Sequence, residues 1–130
     1  MIVTGLDHCT IRADADTVDA CVAFYTSVLN LRIGFRPPFE IPGFWLYAGD
    51  QPLIHLLIEG EDECSNQSCL DHIALSCVNL PVTIKRLDDL KIAYRSSYLA
   101  EVDQYLLFLR DPAGIMLELN FTCEKITAPD

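Results

Sequence analysis

The spacing of apolar residues changes period along the chain, and the changes occur twice in the same order. "LDHCTIR", residues 6–12, alternates as a strand does, which puts Cys9 and Ile11 on one face and Leu6, His8, Thr10 and Arg12 on the other. Val18, Cys21, Val22, Tyr25, Val28 and Leu29 then fall at helical spacing, with Asp14 or Asp16 as N-cap and Asn30 at the far end. Three strand-like runs follow: "LRIGFR", "GFWLYAG" and "PLIHLLI". The order recurs from "LDHIALS", residues 70–76. A helix is expected over "NLPVTIKRLDDLK", where Asn79 can cap, Pro81 suits the first turn, and Leu80, Ile84, Leu87 and Leu90 or Lys91 form one stripe. "IAYRSS", "QYLLFLR" and "GIMLELNF" complete the second set.

The pattern predicts an α+β fold of two tandem βαβββ units, about 3–59 and 70–122, forming a curled mixed sheet around a cavity with the helices on the outer face. Turn chemistry supports the alignment, because Asp50-Gln-Pro and Asp111-Pro-Ala-Gly divide the last two strands of each unit. The polar loop Gly60 to Cys69 joins the units. At 130 residues the chain fits one domain, and neither half has the apolar surface expected of an independent one, so residues 1–130 are read as a single domain.

Counting in twos along the strands isolates four ionisable residues on the face away from the helices. In "PLIHLLIE" the helix-packing set is Ile54, Leu56 and Ile58, with Leu53, His55, Leu57 and Glu59 opposite. "DHIALSC" segregates His72, Ala74 and Ser76 from Ile73, Leu75 and Cys77; "GIMLELNF" segregates Met116, Glu118 and Asn120 from Ile115, Leu117, Leu119 and Phe121. The histidines His8 and His72 are 64 positions apart, and His55 and Glu118 are 63 apart. His8, His55, His72 and Glu118 would all point at the cavity. Three imidazoles and a carboxylate suit one divalent metal, and Zn, Ni, Co, Mn and Fe(II) all remain open.

Charge and cysteine usage narrow the remaining classes. A formal net charge of −10 argues against nucleic acid, which needs a basic surface. No apolar run approaches the ~20 residues of a membrane span, and "MIVTGLDHC" lacks a basic n-region, so a cytoplasmic protein is expected. The six cysteines, Cys9, Cys21, Cys64, Cys69, Cys77 and Cys123, include no C-x-x-C pair and are read as reduced thiols. Phe44, Trp45 and Tyr47 either stack on a ligand or belong to the core.

"LDHCTIR", "AFYTSVLNLRIGFR", "LIHLL", "LDHIALS" and "FLRDPAGIMLELNF", in this order and spacing, resemble the vicinal oxygen chelate superfamily from Gly5 to about Phe121. That superfamily includes glyoxalase I, extradiol dioxygenases, fosfomycin-resistance thiol transferases, methylmalonyl-CoA epimerase and bleomycin-resistance proteins. The resemblance places the family's metal ligands on His8, His55, His72 and Glu118. It implies a metal-dependent, glyoxalase-like lyase or isomerase that chelates a small substrate through adjacent oxygens, with Glu118 as both ligand and base. Arg12 matches an arginine that meets a substrate carboxylate in glyoxalase I. His55 departs from glyoxalase I, where a glutamate is usual. An extradiol-type Fe(II) dioxygenase and a non-catalytic drug-binding protein of the bleomycin-resistance kind are the alternatives. The resemblance also implies a homodimer with metal sites shared between subunits.

Overall fold

The computed structural model describes residues 1, 6, 8–59 and 72–124. Gly5, Asp7 and the segment 60–71, with the Gly60–Cys69 loop, Cys64, Cys69 and the Leu-Asp that opens the second repeat, lie outside the described residues. The chain divides into two compact units, Met1–Asn66 and Gln67–Asp130. The α+β architecture with tandem βαβββ units is as expected, and the strands form two four-stranded mixed sheets, one in each unit.

In the first unit, β1 (Cys9–Ala13) leads to α1 (Ala15–Ser27), β2 (Arg32–Gly34), β3 (Gly43–Ala48) and β4 (Gln51–Ile58), in sheet order β1-β4-β3-β2. Asp14 is the cap of α1, accepting from the Thr17 N–H at 2.8 Å. That backbone bond holds the Asp14 carboxyl below its ordinary range, so the cap is lost only as pH falls through the depressed value. The apolar stripe buries Val18, Cys21, Phe24, Tyr25 and Val28 against the sheet, opposite Ile11, Leu46, Ile54 and Leu56. The β3–β4 turn is Gly49-Asp50, with Gly49 at φ +58°; Gln51 and Pro52, expected in the turn, already belong to β4. Gly43 has no room for a side chain, because a Cβ there would lie 2.0 Å from the Leu56 carbonyl oxygen.

The second unit repeats the plan with β5 (Ile73–Cys77), α2 (Leu80–Asp89), β6 (Tyr94–Leu99), β7 (Gln104–Arg110) and β8 (Met116–Thr122), in sheet order β5-β8-β7-β6. Leu80, Leu87, Leu107, Leu117, Leu119 and Phe121 are its fully buried side chains. Leu90, expected on the helix stripe, is exposed past the helix end. The Asp111-Pro-Ala-Gly turn closes through Gly114 N–H to Asp111 O, and the buried Asp111 carboxylate accepts from the Ile115 N–H at 2.8 Å.

One expectation fails at the start of α2. Asn79 occupies the N-cap position but is left-handed, with φ 70° and ψ 55°, and its side chain makes no capping bond. Glu124, just past β8, supplies the acceptors instead: its two oxygens take the N–H groups of Asn79 at 2.8 Å and Leu80 at 2.6 Å. A carboxylate at a helix N-terminus meets both unsatisfied N–H groups and the positive end of the helix dipole. Sequence spacing favours local caps, and this one comes from 44 residues downstream. Glu124→Ala is expected to lower unfolding free energy by about 1–2 kcal/mol, with fraying confined to the first turn of α2 in amide hydrogen exchange. Unchanged protection at Asn79 and Leu80 would show that this cap is dispensable.

Candidate metal and substrate site

Parallel pairing of the first and last strand in each unit positions every candidate. Between β1 and β4 the register partners are Thr10 with His55, and between β5 and β8 they are Ala74 with Glu118. The whole ladder repeats with the offsets read from the sequence: Cys9–Ile54 answers Ile73–Leu117, and Ile11–Leu56 answers Leu75–Leu119. His55 and Glu118 therefore occupy the same place in the two sheets, each next to the strand that follows a histidine. An aromatic residue recurs beside them, since Trp45 partners His55 and Phe108 partners Glu118 across the antiparallel ladders.

The first unit brings His8 and His55 together as stacked rings, with centroids 3.9 Å apart and planes within 9°. Trp45 continues the stack on the other side of His55 at 4.1 Å and 13°. Pro52 sits beside a β-bulge against β3 and before the β1 pairing begins at Ile54, and the His55 Nε2 is 3.0 Å from the Pro52 carbonyl oxygen. That oxygen can only accept, so Nε2 is the donor in this contact. An imidazole oriented by a backbone carbonyl is a common support for a metal ligand. Ring nitrogens bind a metal in the ring plane, however, and one ion cannot lie in two parallel planes about this far apart. Joint ligation by His8 and His55 requires at least one ring to turn out of the stack.

The second unit brings His72 and Glu118 together, with Nε2 and Oε2 3.2 Å apart and side-chain exposures of 37% and 15%. Two donors at this separation, each on a metal bond of ~2.1 Å, subtend an angle of about 100°, between tetrahedral and octahedral values. Donor chemistry and spacing in this pair therefore fit a divalent ion. Among the described residues, neither unit taken by itself gathers three or more His, Cys, Asp or Glu side chains into one cluster.

Arg12 lies at the far end of β1 with its Nε 2.6 Å from Glu59 Oε2, and its side chain is 63% exposed. The aromatic candidates separate. Trp45 lines a pocket in the first unit with His8, His55, Phe39 and Arg36, whereas the Tyr47 hydroxyl donates to Phe35 O and its ring lies under Arg32. Arg36, Phe39 and Phe108 were not singled out from the sequence. Phe108 was legible as the repeat partner of Trp45, and Arg36 as a lone cation inside the apolar, proline-rich run "FRPPFEIPG".

No protein-family model matches the chain. The sequence is 32% identical over 128 residues to a protein of Arabidopsis thaliana named Glyoxylase I 4, covering 90% of this chain and 70% of that one. A glyoxalase family protein of Bacillus anthracis has a similar structure, with TM-score 0.75, 20% identity and coverage of 94% of this chain and 98% of that one. So does a mutant of the fosfomycin resistance protein FosX of Listeria monocytogenes in complex with Mn(II) and 1S,2S-dihydroxypropylphosphonic acid, with TM-score 0.70, 13% identity and coverage of 93% of this chain and 94% of that one. These structures share the tandem βαβββ fold of the chain. The chain belongs to the vicinal oxygen chelate superfamily, as a glyoxalase-like member.

The described cysteines stand outside these pairs, and none is in a disulfide. Burial pushes the Cys77 thiol up to about 11, while Cys123 is exposed. At pH 8 only about one Cys77 in a thousand is thiolate. Brief iodoacetamide treatment of the native protein, followed by peptide mass spectrometry, is expected to label Cys123 and spare Cys77 until the chain is unfolded. Equal labelling would show that β5 opens readily.

Proposed function

We propose that the protein is a divalent-metal-dependent lyase or isomerase whose small substrate is chelated through adjacent oxygens. His8, His55, His72 and Glu118 would hold the metal. The observation that supports this reading most is the His72–Glu118 pair, at chelate spacing and at the register position that His55 occupies in the other sheet. Binding of Mn(II) with a vicinal diol by the Listeria relative supports it further. The metal, whether Zn, Ni, Co, Mn or Fe(II), would supply Lewis acidity at the substrate oxygens. Glu118 takes the proton next to the substrate carbonyl and returns it to the neighbouring carbon, with His72 beside it as a fellow ligand. His55 is held in orientation by its contact with Pro52. Arg12, on the strand face of Thr10, meets an anionic substrate group by exchanging its Glu59 partner.

We further read residues 1–130 as one functional domain of a cytoplasmic homodimer, with each metal held by the first unit of one subunit and the second unit of its partner. The described residues contain no helix long and apolar enough to cross a membrane. An Fe(II) dioxygenase would show substrate-dependent oxygen uptake, and a drug-binding protein would bind ligand with no turnover.

Glu118→Ala is expected to keep its circular dichroism spectrum and lose tight metal binding by elemental analysis after reconstitution. A fully metallated, folded variant would remove Glu118 from the ligand set. For assembly, His8→Ala/His55→Ala and His72→Ala/Glu118→Ala proteins are each expected to be metal-free. After the two are unfolded together and refolded, half of randomly paired dimers are mixed, and each mixed dimer holds one complete site. About one-quarter of all sites should then recover metal. Heterodimers that recover none would place each site within a single chain.

A further inference from the structure

The first unit holds a pocket of about 680 Å³, within the range of small-molecule sites, and its lining is divided sharply by chemistry. Phe39, Ile41, Trp45, Pro52 and Leu57 make it mostly apolar, the stacked His8–His55 pair forms one wall, and Thr10 and the carboxylate Glu40 complete the lining with Arg36. Among the described lining residues, Arg36 is the sole arginine or lysine. Its guanidinium is fixed in place: it lies over the Phe39 ring, 5.0 Å from the centroid, and Nη2 donates to Ile41 O at 2.7 Å. Nε is buried and has no hydrogen-bond partner. Arg12, the arginine suggested by the family resemblance, does not line this pocket.

We infer that this pocket selects an aromatic or otherwise apolar monoanion, with Arg36 holding the carboxylate and the apolar lining of Phe39, Ile41, Pro52 and Leu57 taking the ring. A fixed guanidinium with donors to spare loses little freedom on meeting a planar carboxylate, and the fork geometry matches it. The apolar part of the lining strengthens that contact, and Glu40 on the same lining disfavours a second anionic group brought in with the ligand. Phe39 and Ile41 are 55% and 38% exposed, so an aryl group seated on them covers apolar surface that now meets solvent. A tripeptide such as glutathione carries a second carboxylate, which would meet Glu40 and apolar side chains and no second arginine or lysine among the described lining residues. The inference rests on the proposed function in placing this pocket beside the reacting centre, through His8 and His55, but it concerns binding that needs no metal.

The test is titration calorimetry on chelator-treated wild-type protein with 2-naphthoate, its neutral analogue 2-naphthamide, and acetate. The naphthoate is expected to bind at least about tenfold more tightly than the amide, in line with one charge-assisted hydrogen-bonded contact, and acetate not measurably. Arg36→Gln should bring acid and amide within about twofold of each other without weakening the amide, and Arg36→Lys should restore part of the preference. A tenfold excess of glutathione should leave naphthoate binding unchanged. Equal binding of acid and amide by wild type, absence of naphthoate binding, an unaltered preference in folded Arg36→Gln, or displacement by glutathione would each overturn the inference. Because no metal is present, a preserved acid preference combined with failed metal reconstitution would sink the proposed function and leave the pocket assignment standing.

Discussion

The parallel ladder between the first and last strand of each unit is the constraint on which the other features depend. Parallel neighbours need a long crossover, which α1 with β2 and β3, and α2 with β6 and β7, provide. Side chains alternate across a strand, so the ladder's register decides which residues join the helix-covered core and which face away. A slip of one residue would send His55 and Glu118 into the core and expose Ile54, Leu56, Leu117 and Leu119, all of which are now fully buried. The burial of those four side chains, at ~1.5–3 kcal/mol each, is what fixes the chemical residues in place. Their positions are a by-product of packing on the other face.

Within that frame the two units have diverged in a physically consistent way. The first carries the bulge at Pro52, the ring stack and the apolar pocket. At the matching place the second carries a half-buried carboxylate, and its aromatic Phe108 is covered by Arg95 at 4.9 Å. Stacking of His8, His55 and Trp45 orders three side chains without a ligand, yet it sets the two imidazoles parallel. Metal capture by both must compete with that stack. Its loss is a real cost against the ligand bonds, whereas His72 and Glu118 already stand at a usable separation.

Much of this was legible in the sequence, for identifiable reasons. Periodicity located both helices and the eight strands of the described residues, and narrowed the cap of α1 to Asp14 or Asp16, because each signal is local. The pairing of like positions in the two units followed from the 64- and 63-residue offsets, since a repeat fixes register twice over. What was hidden is non-local. Glu124 reaches α2 from beyond β8, and nothing near Asn79 announces it. The Glu59 partner of Arg12 is an ordinary strand-end residue, and the stacking of His8 on His55 depends on ring torsions that alternation does not specify. Arg36 was overlooked because it falls outside the strands, in a segment whose prolines suggest a passive connection.

The net charge gives Arg36 its significance. With 19 acidic and 9 basic residues the molecule repels anions at long range, so an anionic substrate gains nothing from the overall field. Screening limits that repulsion to about 8 Å at physiological ionic strength, whereas a contact inside an apolar pocket is screened much less. The balance between the two is therefore local. Phe39 and the Ile41 carbonyl hold the guanidinium rigidly enough that its orientation, rather than the molecule's charge, decides what enters. Loops usually carry specificity on a scaffold set by strands, and here residues 35–42 do so beside the strand-borne histidines.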